Sequence, residues 1–238
     1  MKNIFLILIF SLFISGCAST RPDVFEVSVD SINSPASHKL KSYIILPNNV
    51  GVKEYDLQFQ EYAIYVERAL NSQGFIKAND LNQANVAIFL GYGIGDPETH
   101  KSTYSIPTWG KTGIASSNTH GTVNIYGNTA TVSSKTTYTP TYGVTGSTTK
   151  TSSHVTYKRF LSISAIDLNK YKEDESEKQI WKTLAVSSGY SDDLRRVLPV
   201  LVAASSPYIS KNSGQKIKIS LKDEDQQVLD IKGIQANK

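Results

Sequence analysis

Cysteine is almost absent from this chain, since Cys17 is the only one among 238 residues. A lone cysteine has no partner for an internal disulfide, so the folded part has to be stabilised by packing. Runs of five or more like charges are absent too, although the formal net charge is +4, and this argues against a nucleic-acid-binding tail. The apolar fraction of 39% supplies enough material for a core.

A long apolar run is also missing. The apolar stretch near the start, from Ile4 to Ile14, has about eleven residues and is interrupted by Ser11. A transmembrane helix needs about 20 residues to cross the bilayer, so this stretch is too short to remain as an anchor. With Lys2 before it and small residues after it, the stretch predicts a secretory signal peptide.

The segment ISGC, residues 14–17, ends this stretch and resembles the lipobox of bacterial lipoproteins. The resemblance implies that the Cys17 thiol carries a diacylglyceryl group, that residues 1–16 are removed as a signal peptide, and that the new amino group is acylated. A thiol suits this chemistry because sulfur is the strongest nucleophile in the chain near neutral pH. The alternative is ordinary cleavage after Ala18, which leaves a protein without cysteine.

Residues 17–23 are expected to form the lipidated N-terminus and a short tether, which reaches at most about 20 Å when extended. Three acyl chains hold a protein on a membrane far more firmly than one. The resemblance to Gram-negative lipoproteins favours the outer membrane, because Ala18 stands where inner-membrane lipoproteins tend to have aspartate. We therefore expect lipid anchoring to the outer membrane, on the periplasmic side.

Residues 24–238 are expected to form a single domain. Alternation of apolar and polar residues over 25–29 predicts a first strand, and residues 42–46 predict a second. The helix that follows has one apolar stripe and Gly74 as its end. That stripe comprises Phe59, Tyr62, Ala63, Val66 and Leu70.

The second half of the chain shows three more patterns. Compact apolar segments predict strands at 85–92, 160–168 and 180–186, with 169–178 as the turn between the last two. A second helix from about Leu194 would be capped by Ser191 or Asp192 and kinked or split at Pro199, because proline lacks the helical N–H donor. Residues 216–221 and 227–231 predict a closing hairpin.

The segment 99–154 is dominated by serine, threonine, glycine and tyrosine. No acidic residue occurs from Thr99 to Ile166, whereas basic residues do, and threonine and tyrosine favour strands. A two-residue turn at Gly127-Asn128 would place the aliphatic residues around it on one face of a hairpin. These residues are Val123, Ile125, Ala130 and Val132. The segment therefore predicts a β-arm inserted into the domain.

Several segments together resemble a group of bacterial envelope lipoproteins whose function is uncharacterised. The resemblance covers about residues 42–209 and implies an α+β domain with a mixed, mainly antiparallel sheet and two packed helices, into which the β-arm is inserted. It implies no activity, catalytic residue or cofactor. The segments that carry it are YIILPNN (43–49), ALNSQGF (69–75), QANVAIFLGYGIG (83–95), FLSISAIDL (160–168), QIWKTLAVSSG (179–189) and RRVLPVLVAASSPYI (195–209).

The sequence contains no convincing motif for catalysis, for cofactor binding or for metal binding. GYGIGD, residues 91–96, lacks the third glycine of a dinucleotide-binding loop, and no helical pattern follows it, so we expect backbone flexibility where a strand enters the arm. His100, His120 and His154 are too far apart for a short-spacing zinc motif. We predict no enzyme activity, no cofactor and no metal site.

Aromatic residues are the most suggestive feature of the arm. Exposed aromatic rings on a polar, basic surface suit a protein or glycan partner. The candidate partner-binding residues are Tyr104, Trp109, Tyr126, Tyr138 and Tyr142. The alternative is that these rings pack on their own hairpin.

Three functions follow from these observations. The first is a non-catalytic envelope lipoprotein that binds a partner through its arm, with no nucleic acid involved. The second is a cell-wall glycan hydrolase or transferase whose site is assembled only by the fold. The third is a structural subunit whose arm pairs with that of a neighbour.

Overall fold

The structure is a computed structural model that describes residues 23–35, 40–174 and 178–234. The predicted signal peptide, Cys17 and most of the predicted tether lie outside the described residues. The chain forms two compact units, one made of the described residues up to Pro97 and from Thr156 onward, the other of Glu98–Val155. No helix within the described ranges is long and apolar enough to cross a membrane.

Eight strands and four α-helices make up the described part of the chain. The strands are β1 Val24–Asn33, β2 Ser42–Pro47, β3 Ile76–Lys77, β4 Val86–Ile94, β5 Glu98–Tyr126, β6 Thr129–Asp167, β7 Gln179–Gly189 and β8 Ile217–Lys222. The helices are α1 Leu57–Ser72, α2 Leu168–Asp174, α3 Leu194–Ser205 and α4 Gln226–Lys232, with a 3₁₀ turn at Ser206–Tyr208.

The first unit is built on a mixed sheet with the strand order β3-β2-β4-β6-β7-β1-β8. β2 runs parallel to β3 and to β4, and the other pairs are antiparallel. The predicted mixture of helices with a mixed sheet is confirmed. The prediction of two helices was too low, since the described residues contain four.

The apolar stripe that the sequence predicts for α1 packs against the sheet, and together they contribute to the main core of the first unit. All five of its members are buried, Val66 and Leu70 completely. Asp56 caps the helix, because its carboxylate accepts hydrogen bonds from the N–H groups of Gln58 at 2.9 Å and Phe59 at 3.1 Å. Gly74 follows the helix with a φ of 78°, the left-handed conformation that glycine adopts without strain.

α3 differs from its prediction in two respects. Its cap is Asp193, whose carboxylate accepts from Arg196 N, and not Ser191 or Asp192. Pro199 lies inside one uninterrupted helix, so the expected split is wrong. Proline removes one backbone hydrogen bond, but the residues from Val197 to Ser205 are all buried, and this packing maintains the helix.

The predicted closing hairpin is also wrong in its second half. β8 forms and pairs with β1, but residues 226–232 form α4 instead of a strand. Val228 and Ile231, three residues apart, are its buried positions, which is helical spacing. Gly233 ends the helix with a φ of 74°.

The stretch predicted as a turn between β6 and β7 begins with the short helix α2. Asp167 starts it, since its carboxylate accepts from Asn169 N at 3.0 Å and Lys170 N at 3.3 Å. Leu168 is buried in a small second cluster with Ala84 and Ala87. Lys170, Lys172 and Glu173 of this helix are exposed, in keeping with the solvated charges that the sequence suggested.

The second unit, Glu98–Val155, is a two-stranded antiparallel hairpin of β5 and the first part of β6. Its turn is Gly127-Asn128, as predicted, and Gly127 has a φ of 62°. A positive φ at the first central residue is the requirement of a type II′ turn, which matches the twist of a hairpin.

Candidate functional site

Threonine side chains link the two strands of the hairpin. Thr119 Oγ1 and Thr136 Oγ1 are 2.9 Å apart. Thr119 precedes Tyr126 by as many residues as Thr136 follows Thr129, so this pair has the register that the Gly127-Asn128 turn predicts. Further contacts at 3.3 Å join Thr103 to Thr151 and Thr112 to Thr141.

All five predicted partner-binding aromatics lie on this hairpin, and all five are exposed. Their exposed fractions run from 51% for Tyr104 to 78% for Tyr126. Such values do not fit the alternative that the rings bury themselves on their own hairpin. Aliphatic residues near the turn are exposed as well, including Val123, Ile125 and Val132. The hairpin therefore presents a surface of aromatic, aliphatic and hydroxyl groups.

The charge of the hairpin is one-sided. Glu98 is its only acidic residue, whereas the lysines at 101, 111, 135 and 150 are spread along both strands. No strand of the described residues pairs with the outer edges of the hairpin over 129–155, where β6 pairs with β5 alone. Within the described residues, the hairpin thus combines strand edges that no third strand covers with a positive surface.

Two of the three histidines of the arm come together. The imidazole rings of His100 and His154 stack with centroids 5.1 Å apart and an interplanar angle of 23°. His120 lies twenty residues after His100 along the same strand. Among the described residues, no group of three or more His, Cys, Asp or Glu side chains is placed to hold a metal ion.

A groove that the sequence analysis did not anticipate lies between α1 and β2 in the first unit. It has a volume of about 670 Å³. Its apolar lining comes from Ile44, Ile45 and Leu46 of β2 and Phe59, Ala63 and Ile64 of α1. Its charged lining consists of Glu54, Glu67, Lys77 and Asp80. The first unit therefore contains an open apolar groove with a mainly acidic rim.

Arg159 is a second feature that the sequence analysis missed. Its side chain is 1% exposed, its Nη1 donates to Ser191 O at 3.0 Å and its Nη2 donates to Ser187 Oγ at 3.0 Å. Its Nε makes no hydrogen bond within the described residues. Burial lowers the pKa of Arg159. Alternation along β6 could have located it, since Arg159 shares the face of Leu161 and Ile163.

One glycine of GYGIGD, Gly93, has a packing role. Gly91 and Gly93 lie within β4, and a Cβ on Gly93 would come within 2.6 Å of the Phe160 ring on β6. Neither has a positive φ among the described residues. Close approach of the Phe160 side chain therefore explains Gly93 better than the predicted backbone flexibility at the entry to the arm.

A scan against protein-family models found no match. A search of curated proteins found no match either. Among solved structures, the chain is similar to a PDZ domain protein from Parabacteroides distasonis, with 11% sequence identity and a TM-score of 0.39. The match covers 84% of this chain and 40% of that chain, so the present chain spans less than half of its length. This TM-score is too low to define a shared fold.

Proposed function

We propose that this protein is a lipid-anchored lipoprotein of the outer membrane, facing the periplasm, and that its hairpin binds a partner without catalysis. The partner is an envelope protein or a glycan. We also propose that the chain belongs with the uncharacterised envelope lipoproteins that it resembles. The exposure of all five aromatic candidates on one acid-poor hairpin is the observation that carries the binding function.

The second unit consists of two strands of one hairpin. A two-stranded ribbon is marginally stable alone, because it has no second layer on which to bury its side chains. Thr119–Thr136 and similar contacts link the strands, yet Trp109 and Tyr138 remain largely in water. Aromatic rings that are rimmed by hydroxyl groups and lysines gain most by burial against a polar partner. A partner would therefore stabilise the hairpin while it binds.

A hairpin replacement tests this proposal. Residues 99–151 are replaced by a short Gly/Ser turn, which should leave a folded, lipidated first unit, because the main core lies outside the hairpin. The replacement should abolish co-sedimentation with purified peptidoglycan sacculi, or photo-crosslinking to an envelope protein from position 109 in cells. An unfolded first unit, or full binding by a folded variant, would refute the role of the hairpin.

Point variants separate the aromatic rings from the backbone. Trp109→Ser and Tyr138→Ser together should weaken the same interaction about tenfold or more, since each removes a large contact area. The matched control is Tyr55→Ser with Tyr171→Ser, two exposed aromatics of the first unit. Binding through the lysines should also weaken from low to physiological salt, where the Debye length is about 8 Å.

Cys17→Ser tests the anchor separately. This change removes the only thiol of the chain, so incorporation of radiolabelled fatty acid and fractionation with the membrane should both be lost. Ala18→Ser is the control, because it keeps the thiol. A Cys17→Ser protein that still incorporates fatty acid would contradict lipidation at this residue.

The free edges of the hairpin favour one alternative function, a structural subunit whose hairpin pairs with that of a neighbouring copy. Unpaired strand edges readily pair with another chain. Sedimentation of the purified full chain in detergent distinguishes the two functions. A discrete oligomer that disappears when the hairpin is replaced would support assembly, whereas a monomer that binds sacculi or an envelope protein supports the first function.

A further inference from the structure

The groove between α1 and β2 borders a free strand edge. The ladder of β2 with β3 ends at Tyr43 and Lys77, after which Ala78 N donates to Tyr43 O at 2.8 Å. Within the described residues, no strand continues beside the rest of β2, from Ile44 to Pro47. This stretch of about four residues is paired only on its other side, with β4.

The backbone groups at this edge can be assigned from the neighbouring hydrogen bonds. Ser42 O accepts from Asn85 N beside β4, whereas Tyr43 O accepts from Ala78 on the opposite side. Because successive residues of a strand direct their backbone groups to alternate edges, Ile45 directs its N–H and C=O to the free edge. Pro47 has no N–H, so at that position the edge offers only an acceptor.

The helix supplies the second wall of the groove. Phe59 and Ala63 are buried at its base, while Ile64 on the rim is 46% exposed. Leu81, which also lines the groove, is 51% exposed. Exposed aliphatic side chains that line an apolar groove gain free energy when a further apolar group is inserted against them.

The rim is acidic overall. Glu54, Glu67 and Asp80 carry three negative charges, and Lys77 carries the one positive charge. Lys77 Nζ is already paired with Glu67 Oε1 at 2.5 Å. Asp80 accepts from the N–H groups of Asn82 and Gln83 and has no lysine or arginine partner in this lining. The two carboxylates without an ammonium partner in this lining therefore favour a basic occupant.

We propose that this groove binds an extended segment of a partner protein, in which aliphatic side chains alternate with polar ones and a lysine or arginine lies at one or both ends. The segment adds as a strand to the free edge of β2, with hydrogen bonds to Ile45, and its aliphatic side chains enter the groove against Ile64. Backbone pairing supplies affinity, and the apolar wall and acidic rim supply selectivity. This inference is independent of the function proposed for the hairpin.

Selection from a peptide library tests the proposal. Random octapeptides displayed on phage are selected against the purified full chain in detergent micelles, and the enriched peptides are resynthesised with fluorescein for anisotropy titration. We expect enrichment of Val, Ile or Leu at alternate positions together with Lys or Arg. Methylation of the peptide nitrogens at one set of alternate positions should abolish binding, and methylation at the other set should not, because only one edge of an added strand pairs with β2.

Variants of the groove complete the test. Ile64→Arg should lower the affinity at least tenfold, and Glu54→Lys should lower it for basic peptides while the apolar wall stays intact. Ile32→Arg, an exposed isoleucine on β1, is the matched control and should change nothing. Circular dichroism of each variant checks that it is folded.

Three results would overturn the proposal. The first is a library without enrichment, and the second is a set of enriched peptides that bind Ile64→Arg as well as the unchanged chain. The third is a dimer in analytical ultracentrifugation that Ile64→Arg dissociates, because the groove would then be occupied by a second copy of this chain.

Discussion

Arg159 is packed directly against Gly189 of the neighbouring strand. A Cβ built on Gly189 would lie 3.1 Å from both terminal nitrogens of the guanidinium group. The space that a side chain would occupy at position 189 is thus used by a buried arginine. The buried guanidinium keeps its place through hydrogen bonds to Ser187 and Ser191.

Gly189→Ala should destabilise the first unit by about 1–2 kcal/mol, because the added methyl group has to displace Arg159 and weaken those two hydrogen bonds. Urea denaturation measures the change. Gly95→Ala is the control, since a Cβ there meets nothing closer than 3.7 Å. Equal stability of the two variants would mean that Arg159 moves without cost.

Tyr43 and Tyr92 offer a test of buried hydroxyl groups. Neither Oη makes a hydrogen bond within the described residues. Replacing either tyrosine by phenylalanine should leave stability unchanged or raise it by about 1 kcal/mol, because an unsatisfied buried hydroxyl is removed. Tyr62→Phe is the control and should be slightly destabilising, since the Tyr62 hydroxyl accepts from Gln58 Nε2 at 3.1 Å. A loss of stability in Tyr43→Phe or Tyr92→Phe would contradict this assignment.

The same two residues predict a loss of stability in alkali. Burial raises the pKa of Tyr43 and of Tyr92, and nearby negative charges, Glu67 and Asp56 respectively, add to the effect. The unfolded chain releases these protons near pH 10, whereas the folded chain retains them. The contribution of these two tyrosines to the free energy of unfolding is therefore fully present below about pH 10. It is lost as the pH rises from there towards the higher pKa values of the folded state. In the Tyr43→Phe variant, urea midpoints should decline less steeply above pH 10.

Val66 tests the assignment of the α1 stripe. It is completely buried, so Val66→Asp places an unpaired carboxylate in the core and should destabilise the fold by several kcal/mol. Val66→Ala should cost about 1–3 kcal/mol and remain folded, which allows a measurement if the aspartate variant does not fold. Gln60→Asp, on an exposed position of the same helix, should have little effect on thermal melting. An unchanged melting temperature for Val66→Asp would show that this position is not in the core.

The cap of α3 can be checked with two adjacent residues. Asp193→Ala removes the carboxylate that accepts from Arg196 N and should cost about 1 kcal/mol. Asp192→Ala removes an equal charge one residue earlier and should be nearly neutral. Urea denaturation of the two variants is the measurement, and the reverse order of effects would place the cap at Asp192.

Local periodicity accounts for what could be predicted. The α1 stripe, the strand around Val27 and the Gly127-Asn128 turn each depend on residues within one or two turns of helix or a few residues of strand. Shorter segments are ambiguous, because the five residues 227–231 fit a strand or a helix equally well until Val228 and Ile231 are seen to share the core side. The burial of Arg159 could have been predicted from the alternation along β6. It was missed because a charged residue is not expected in a core.

The sequence by itself determined the main helices and strands, the hairpin and its turn, and the motif on which the lipidation of Cys17 is proposed. Only the tertiary structure decided which strand edges stay open, which aromatics stay in water and that α1 and β2 enclose a groove. Periodicity is a property of neighbouring residues, whereas an edge or a groove depends on which distant segments pair. The short β3 leaves Ile45 at a free edge because the pairing of β3 with β2 ends after two residues. No local sequence pattern in β2 or β3 indicates where this pairing stops.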